Sequence, residues 1–149
     1  MIRGFIVAAL CCGVLAAQAG FKIELVGGTL RGLTGRTAAR LDPGGAGSMV
    51  FHSAAGELRI PFQSVRILKY GQDVSRRYVE AVLISPLFLL SKSRRHFFTL
   101  MFDDAEAQTQ ALVFRVEQRD VHAVLAILEA RTGKRVEYQD EEARKQAGK

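Results

Sequence analysis

The chain has 149 residues, 48% of them hydrophobic, and carries a formal net charge of +6. This length predicts one domain, and the apolar fraction argues against disorder over most of the chain. No run reaches the roughly 18 apolar residues of a membrane-spanning helix, and the excess of Lys and Arg favours an anionic partner.

The first nineteen residues have the three parts of a secretory signal peptide. Arg3 supplies a positive charge, an apolar run covers residues 5–15, and Ala17 and Ala19 are the small residues at its exit. This order predicts cleavage after Ala19 and export to the periplasm or beyond. The alternative is an N-terminal anchor helix that is retained.

Both cysteines, Cys11 and Cys12, lie in this segment. A chain that begins at Gly20 would therefore enter an oxidising compartment with no disulfide to form. Its stability would come from packing, which ~130 residues can supply without covalent cross-links. Cysteine catalysis and thiolate metal sites would be excluded.

From residue 21 onward, turn-forming residues separate short apolar or alternating runs, as is typical of an antiparallel sheet. Thr37, Ala39 and Leu41, for example, share one face of their run. The predicted strands are 22–26, 36–41, 48–52, 57–60, 64–70, 97–102 and 111–117. The run 97–102 is apolar on both faces, which predicts a central strand.

After residue 120 the pattern changes to helical spacing. Apolar residues recur at Val121, Val124, Leu125 and Leu128. Asp120 is the predicted N-cap, and Gly133 is the predicted left-handed residue at the C-terminal end. A short strand over 135–139 is expected next, and the charged residues 140–149 predict a disordered tail.

Short strands followed by one amphipathic helix predict a mainly β fold. The expected architecture is a small antiparallel barrel or roll, capped by the C-terminal helix. The chain is thus divided into a signal peptide (1–19), a single domain (20–139) and a tail (140–149).

Two stretches carry a family resemblance. Residues 47–51 (GSMVF) are followed by 58–65 (LRIPFQSV), an apolar strand, a turn and then Ile-Pro-aromatic-x-x-aliphatic. This order resembles bacterial pleckstrin-homology-like (GRAM-like) domains, in which a capping helix stands where residues 120–132 lie here. The resemblance covers about residues 28–138 and implies a PH-like barrel.

Four shorter stretches are similar to a group of small exported bacterial proteins without an assigned activity. They are 70–72 (YGQ), 85–87 (SPL), 91–97 (SKSRRHF) and 130–138 (ARTGKRVEY). This similarity supports the predicted fold and implies no site residue.

The sequence lacks the usual patterns of enzyme and metal sites. Residues 45–49 (GAGSM) do not have the spacing of a serine-hydrolase elbow, and no phosphate-loop pattern occurs. The histidines at 52, 96 and 122 are scattered, and the acidic run 103–106 lacks the spacing of a calcium loop. We therefore predict a non-enzymatic protein with no cofactor and no metal.

One segment, residues 76–96, has an unusual composition. An apolar block at 81–90, interrupted only by Ser85 and Pro86, is too short to span a bilayer. Basic residues flank it on both sides: Arg76, Arg77, Lys92, Arg94 and Arg95. Pro86 disfavours a central strand and would bend a helix.

Two interpretations of this segment are open. In the first, 79–84 and 87–90 are ordinary elements buried in the core. In the second, the apolar tip formed by Leu87, Phe88 and Leu89 enters a membrane or a partner's groove, while the basic residues meet lipid phosphates. Export and the lack of interleaved aromatic and basic residues argue against nucleic acid.

The second interpretation gives the predicted function, an exported binding module that docks peripherally on an anionic membrane surface through residues 76–96. The alternative is a structural or assembly subunit that binds another envelope protein through the same segment.

Overall fold

The computed structural model describes residues 20–30, 36–72, 96–139 and 141–148. The strands within these ranges are β1 (Phe21–Gly28), β2 (Thr37–Asp42), β3 (Ser48–Ser53), β4 (Gly56–Pro61), β5 (Val65–Gly71), β6 (His96–Asp103), β7 (Thr109–Val116) and β8 (Val136–Tyr138). The helices are α1 (Val121–Thr132) and α2 (Glu141–Gln146). The predicted mainly β fold with a C-terminal helix is confirmed.

The strands form one sheet in the order β4-β3-β2-β1-β7-β6-β5-β8, with β4 and β8 as its edges. Neighbouring strands are antiparallel except β5 and β8, which are parallel. Three strand spacings separate Phe51 on β3 from Phe114 on β7, and in a flat sheet this separation would place the two residues at least about 14 Å apart. Their ring centroids are only 5.5 Å apart. The sheet therefore curls around a core, as a roll does, without closing into a barrel.

The concave face of the roll holds the main core. Alternate residues of each strand point to this face, so the period-2 apolar pattern becomes a continuous buried layer. The fully buried leucines and isoleucine of this layer come from six elements: Leu41, Ile60, Leu68, Leu100, Leu112 and Leu128. Leu128, with Val124 and Leu125, attaches α1 to the sheet as the helical spacing predicts.

The sequence predicted the C-terminal end of α1 more accurately than its N-terminal end. Gly133 is left-handed (φ 67°), and its N–H donates to the Glu129 carbonyl at 3.0 Å, which confirms the predicted C-terminal residue. Asp120 occupies the predicted N-cap position of α1, but its side chain does not make the capping hydrogen bond expected there. Asp120 ends a 3₁₀ turn and has helical backbone angles, whereas an N-cap needs extended ones.

The tail also differs from its prediction. Residues 141–146 were expected to be disordered but form α2, and Ala143 and Ala147 are buried in the main core. These alanines are four residues apart and lie on one helical face. Alanine is small, so two of them among charged residues give only a weak apolar signal in the sequence.

A second, smaller apolar cluster lies on the opposite face of the sheet. It consists of Val26, Phe97, Ala111 and Val113, with Met101 packed against it. These residues alternate with core residues along β6 and β7, as expected for the central strand that was predicted to be apolar on both faces.

Candidate functional site

The eight predicted site residues all lie outside the described residues, within 73–95. They are Arg76, Arg77, Leu87, Phe88, Leu89, Lys92, Arg94 and Arg95. The structure does describe the two points at which this part of the chain leaves and rejoins the sheet.

These two points are neighbours in the β5–β6 ladder. Gly71, at the end of β5, is paired with Phe97, near the start of β6. Residues 73–95 therefore connect paired positions of a single antiparallel hairpin. The chain departs from one place on the sheet and returns to the same place.

The same end of the sheet continues through the neighbouring strands. His96 pairs with Val116 on β7, and Val116 pairs with Ile23 on β1. We call this side of the sheet, marked by Gly71, His96, Val116 and Ile23, the exit end.

A buried aromatic pair fixes the hairpin at the exit end. The Tyr70 hydroxyl and His96 Nδ1 are 2.6 Å apart, and the two rings are parallel with centroids 6.0 Å apart. Tyr70 is fully buried and His96 is 9% exposed. Burial lowers the pKa of His96, because a cationic ring loses hydration there. The neutral imidazole is thus the form that this contact favours.

Strand β8 supports this pair from the other side. The Tyr138 ring meets Tyr70 edge to face at 6.2 Å, and the Gln139 N–H donates to the Tyr70 carbonyl at 3.1 Å. The Gln139 side chain packs directly against Gly71, so a Cβ atom at this position would force that side chain to move. The base of the hairpin is therefore held by both packing and hydrogen bonds.

Sequence reasoning missed the role of His96 and treated it as one of three scattered histidines. Strand alternation contained the signal, because His96 shares a face with Phe98, Leu100 and Phe102, three buried residues. The other two histidines are exposed, and His52 Nδ1 lies 3.4 Å from Glu57 Oε2.

The opposite end of the sheet, the far end, carries the loop between β6 and β7. Asp104 is the centre of this loop: its carboxylate accepts from the Glu106 and Gln108 N–H groups, at 3.0 and 2.8 Å, and from Gln110 Nε2 at 2.7 Å. These hydrogen bonds, the Gln108 N–H first, lower the pKa of Asp104. Part of the acidic run thus lies in a turn whose backbone N–H groups donate to its own carboxylate.

Asp103, the last residue of β6, is also engaged at the far end. Its carboxylate accepts from Arg66 Nε at 2.6 Å and from Thr109 Oγ1 at 3.1 Å. A pocket of about 520 Å³ opens beside this loop, lined by Thr29, Leu30, Asp104, Glu106, Gln108 and Gln110. Because the Asp104 carboxylate accepts three hydrogen bonds from residues 106–110, it is a structural group of the loop.

Across the ranges that the structure covers, no three His, Cys, Asp or Glu side chains converge into a group able to hold a metal ion. The helices in those ranges are too short or too polar to cross a bilayer. Comparison with known proteins finds no family model that matches the chain and no curated protein that matches it.

Proposed function

We propose that the protein is an exported, non-enzymatic binding module that docks peripherally on an anionic membrane surface through residues 76–96. The observation that supports this most is the pairing of Gly71 with Phe97. A hairpin paired to that point can close with a loop of two to five residues. Residues 73–95 are a much longer insertion at this one point of the sheet, and segments presented at one place on a rigid scaffold often carry function.

The composition of the core supports the same proposal. Buried residues on the concave face come from every described strand and from both described helices. The described residues alone supply a continuous core on the concave face, and the proposal assigns the apolar block 81–90 to another surface. Loops presented by a rigid sheet often carry binding functions.

The charges of the segment fit an anionic partner. Five basic residues flank the block, and each contributes roughly 1 kcal/mol when it lies near an anionic bilayer surface. Large apolar side chains such as Phe88 add about 1.5–3 kcal/mol each when fully buried. The combination of a short apolar tip and basic flanks is that of an interfacial anchor.

Vesicle sedimentation of the exported protein tests the electrostatic part. Vesicles of phosphatidylcholine alone are compared with vesicles that also contain phosphatidylglycerol. Arg94→Glu with Arg95→Glu is expected to weaken binding to the anionic vesicles, more strongly at low salt. Lys134→Glu with Arg135→Glu is the matched control, because it changes the charge equally at exposed residues beyond the end of α1.

Phe88→Asp tests the apolar part. The proposal expects loss of anionic-vesicle binding with a melting temperature close to that of the original protein. Unfolding of this variant would assign the block to the core and contradict the proposal. Failure of the unmodified protein to sediment with anionic vesicles would also contradict it, and would favour the assembly-subunit alternative.

A further inference from the structure

We propose that Lys22 and Arg40 form a second contact for anionic lipid headgroups, on the outer face of the sheet beside the exit end. The inference rests on the proposed membrane docking and extends it to residues outside 76–96. It depends on the register of β1 and β2, on the lack of an ion-pair partner for either residue among the described residues, and on the position of the pair.

The register places two cations directly opposite each other. Lys22 on β1 pairs with Arg40 on β2, and the next residues, Ile23 and Leu41, point into the core. Lys22 and Arg40 therefore share the outer face. Residues opposite each other in an antiparallel pair have Cβ atoms about 4.5–5.5 Å apart, and like charges at this spacing destabilise the sheet.

The carboxylates nearby are engaged elsewhere. Glu24 Oε2 lies 3.2 Å from Arg115 Nη1, and Glu57 Oε1 lies 2.7 Å from Arg59 Nη2. Each of these carboxylates is therefore neutralised by a different cation on its own face.

Asp42, two residues beyond Arg40, accepts a hydrogen bond from the Gly44 N–H at 2.8 Å. Lys22 and Arg40 are both exposed, and neither forms an ion pair with any residue in the part of the chain that the structure describes. By contrast, many other cations of the sheet are paired: Arg36, Arg59, Arg66, Lys69 and Arg115. A like-charged pair without an ion-pair partner among the described residues favours an anion from outside them.

The pair lies at the end of the sheet where residues 73–95 leave it. Lys22 precedes Ile23, which is in register with Val116 and, through it, with His96. Two strand spacings, about 10 Å, separate β1 from β6. A planar surface that lies against this end of the sheet can therefore reach this pair as well.

The start of β1 adds to the charge. A Cβ atom at Gly20 would lie 2.6 Å from Arg40 Cδ, so the Arg40 stem runs against the Gly20 backbone. Cleavage after Ala19 would place an α-ammonium group there as a third cation. Because the two side chains are exposed on an open sheet face, the anionic group they fit is one displayed on a broad surface, such as a lipid headgroup phosphate.

Lys22→Gln with Arg40→Gln tests the inference in the exported protein, whose N-terminus is verified by intact mass. Affinity for phosphatidylglycerol-containing vesicles is expected to fall about fivefold for each residue removed. Lys134→Gln with Arg135→Gln removes the same charge as a control and should change affinity by less than twofold. The melting temperature of the Lys22/Arg40 variant should stay equal or rise slightly, because the repulsion is gone.

The outcomes separate this inference from the proposed function. No binding of the unmodified protein to anionic vesicles would overturn both. Two results together would overturn this inference alone. Arg94→Glu with Arg95→Glu would weaken vesicle binding, whereas the Lys22/Arg40 variant would bind as well as its Lys134/Arg135 control. Inorganic phosphate, compared with chloride at equal ionic strength, should not displace the protein from vesicles. Displacement by phosphate would indicate a free-anion site and contradict a headgroup contact.

Discussion

Two groups of charges, one at the exit end and one at the far end of the sheet, differ in their partners. At the far end, Asp103 and Asp104 accept hydrogen bonds from Arg66, Thr109 and the loop itself. At the exit end, two cations face each other across β1 and β2 without a described partner.

The difference separates structural charge from charge available to a partner. A carboxylate that accepts several hydrogen bonds stabilises its own loop and presents little to a ligand. Like charges that lie directly opposite each other in a strand pair repel and destabilise the sheet. Such a charge distribution would orient the molecule on an anionic surface, with the exit end toward it and the acidic loop away from it.

The largest expected effect tests whether both ends depend on one core. Leu128→Ala should lower the free energy of unfolding by about 2–5 kcal/mol, because a fully buried side chain leaves a cavity. Amide hydrogen exchange should rise at both ends together. Lys145→Ala, at an exposed residue of α2, should change almost nothing. Equal melting shifts for the two variants would show that α1 is not packed as described.

A smaller effect should be confined to the exit end. Tyr70→Phe removes the hydroxyl that meets His96 Nδ1 and leaves a buried nitrogen without this partner, at a cost of about 1–3 kcal/mol. Hydrogen exchange should increase in β5 and β6 near Gly71 and stay unchanged in the loop around Asp104. Uniform acceleration at both ends would contradict a local role for the pair.

The pH dependence of stability should also originate at the exit end. The pKa of His96 is lowered in the folded protein from its ordinary value of 6.5. As pH falls below 6.5, the unfolded chain therefore binds a proton that the folded protein does not, and stability decreases until pH passes the folded pKa. Denaturant unfolding at pH 7.5 and pH 5.5 should show this loss, and His96→Gln should reduce it. An unchanged pH dependence in the variant would assign it to other groups.

The smallest effect is expected at the far end. Asp104→Ala removes the acceptor of the loop's hydrogen bonds and should lower the melting temperature slightly. In the original protein, protonation of Asp104 should remove the same stabilisation. This loss should begin as pH falls below 3.8, the ordinary pKa of Asp, and be complete below the lowered pKa of Asp104 in the folded protein. Anionic-vesicle binding should be unaffected at neutral pH. Weakened binding would show that the two ends are not functionally separate.

The strands and the helix were predictable because their signals are local. Period-2 runs between turn residues gave the β-strands, and the spacing of Val121, Val124 and Leu128 gave α1. The pairing of β1 with β7 could not be obtained this way, because it joins strands that are far apart in sequence. The tail helix was missed because its buried residues are alanines.

The candidate site was only partly predictable for the same reason. The composition of residues 76–96 is visible in the sequence, so the segment was identified at once. The opposition of Lys22 and Arg40 depends on strand register, which no local pattern specifies. His96 was recognisable in principle, since it shares the alternation of the buried face of β6.

The most direct test of the central claim, that the exit end meets the membrane, uses an environment-sensitive fluorophore on single cysteines. The chain from Gly20 onward contains no cysteine, so Ser85→Cys in the apolar block and Ala105→Cys in the exposed far-end loop can each be labelled uniquely. Addition of phosphatidylglycerol-containing vesicles should shift the emission of the label at position 85 to the blue and leave the label at position 105 unchanged. Equal shifts at both positions, or a shift at position 105 alone, would contradict the claim.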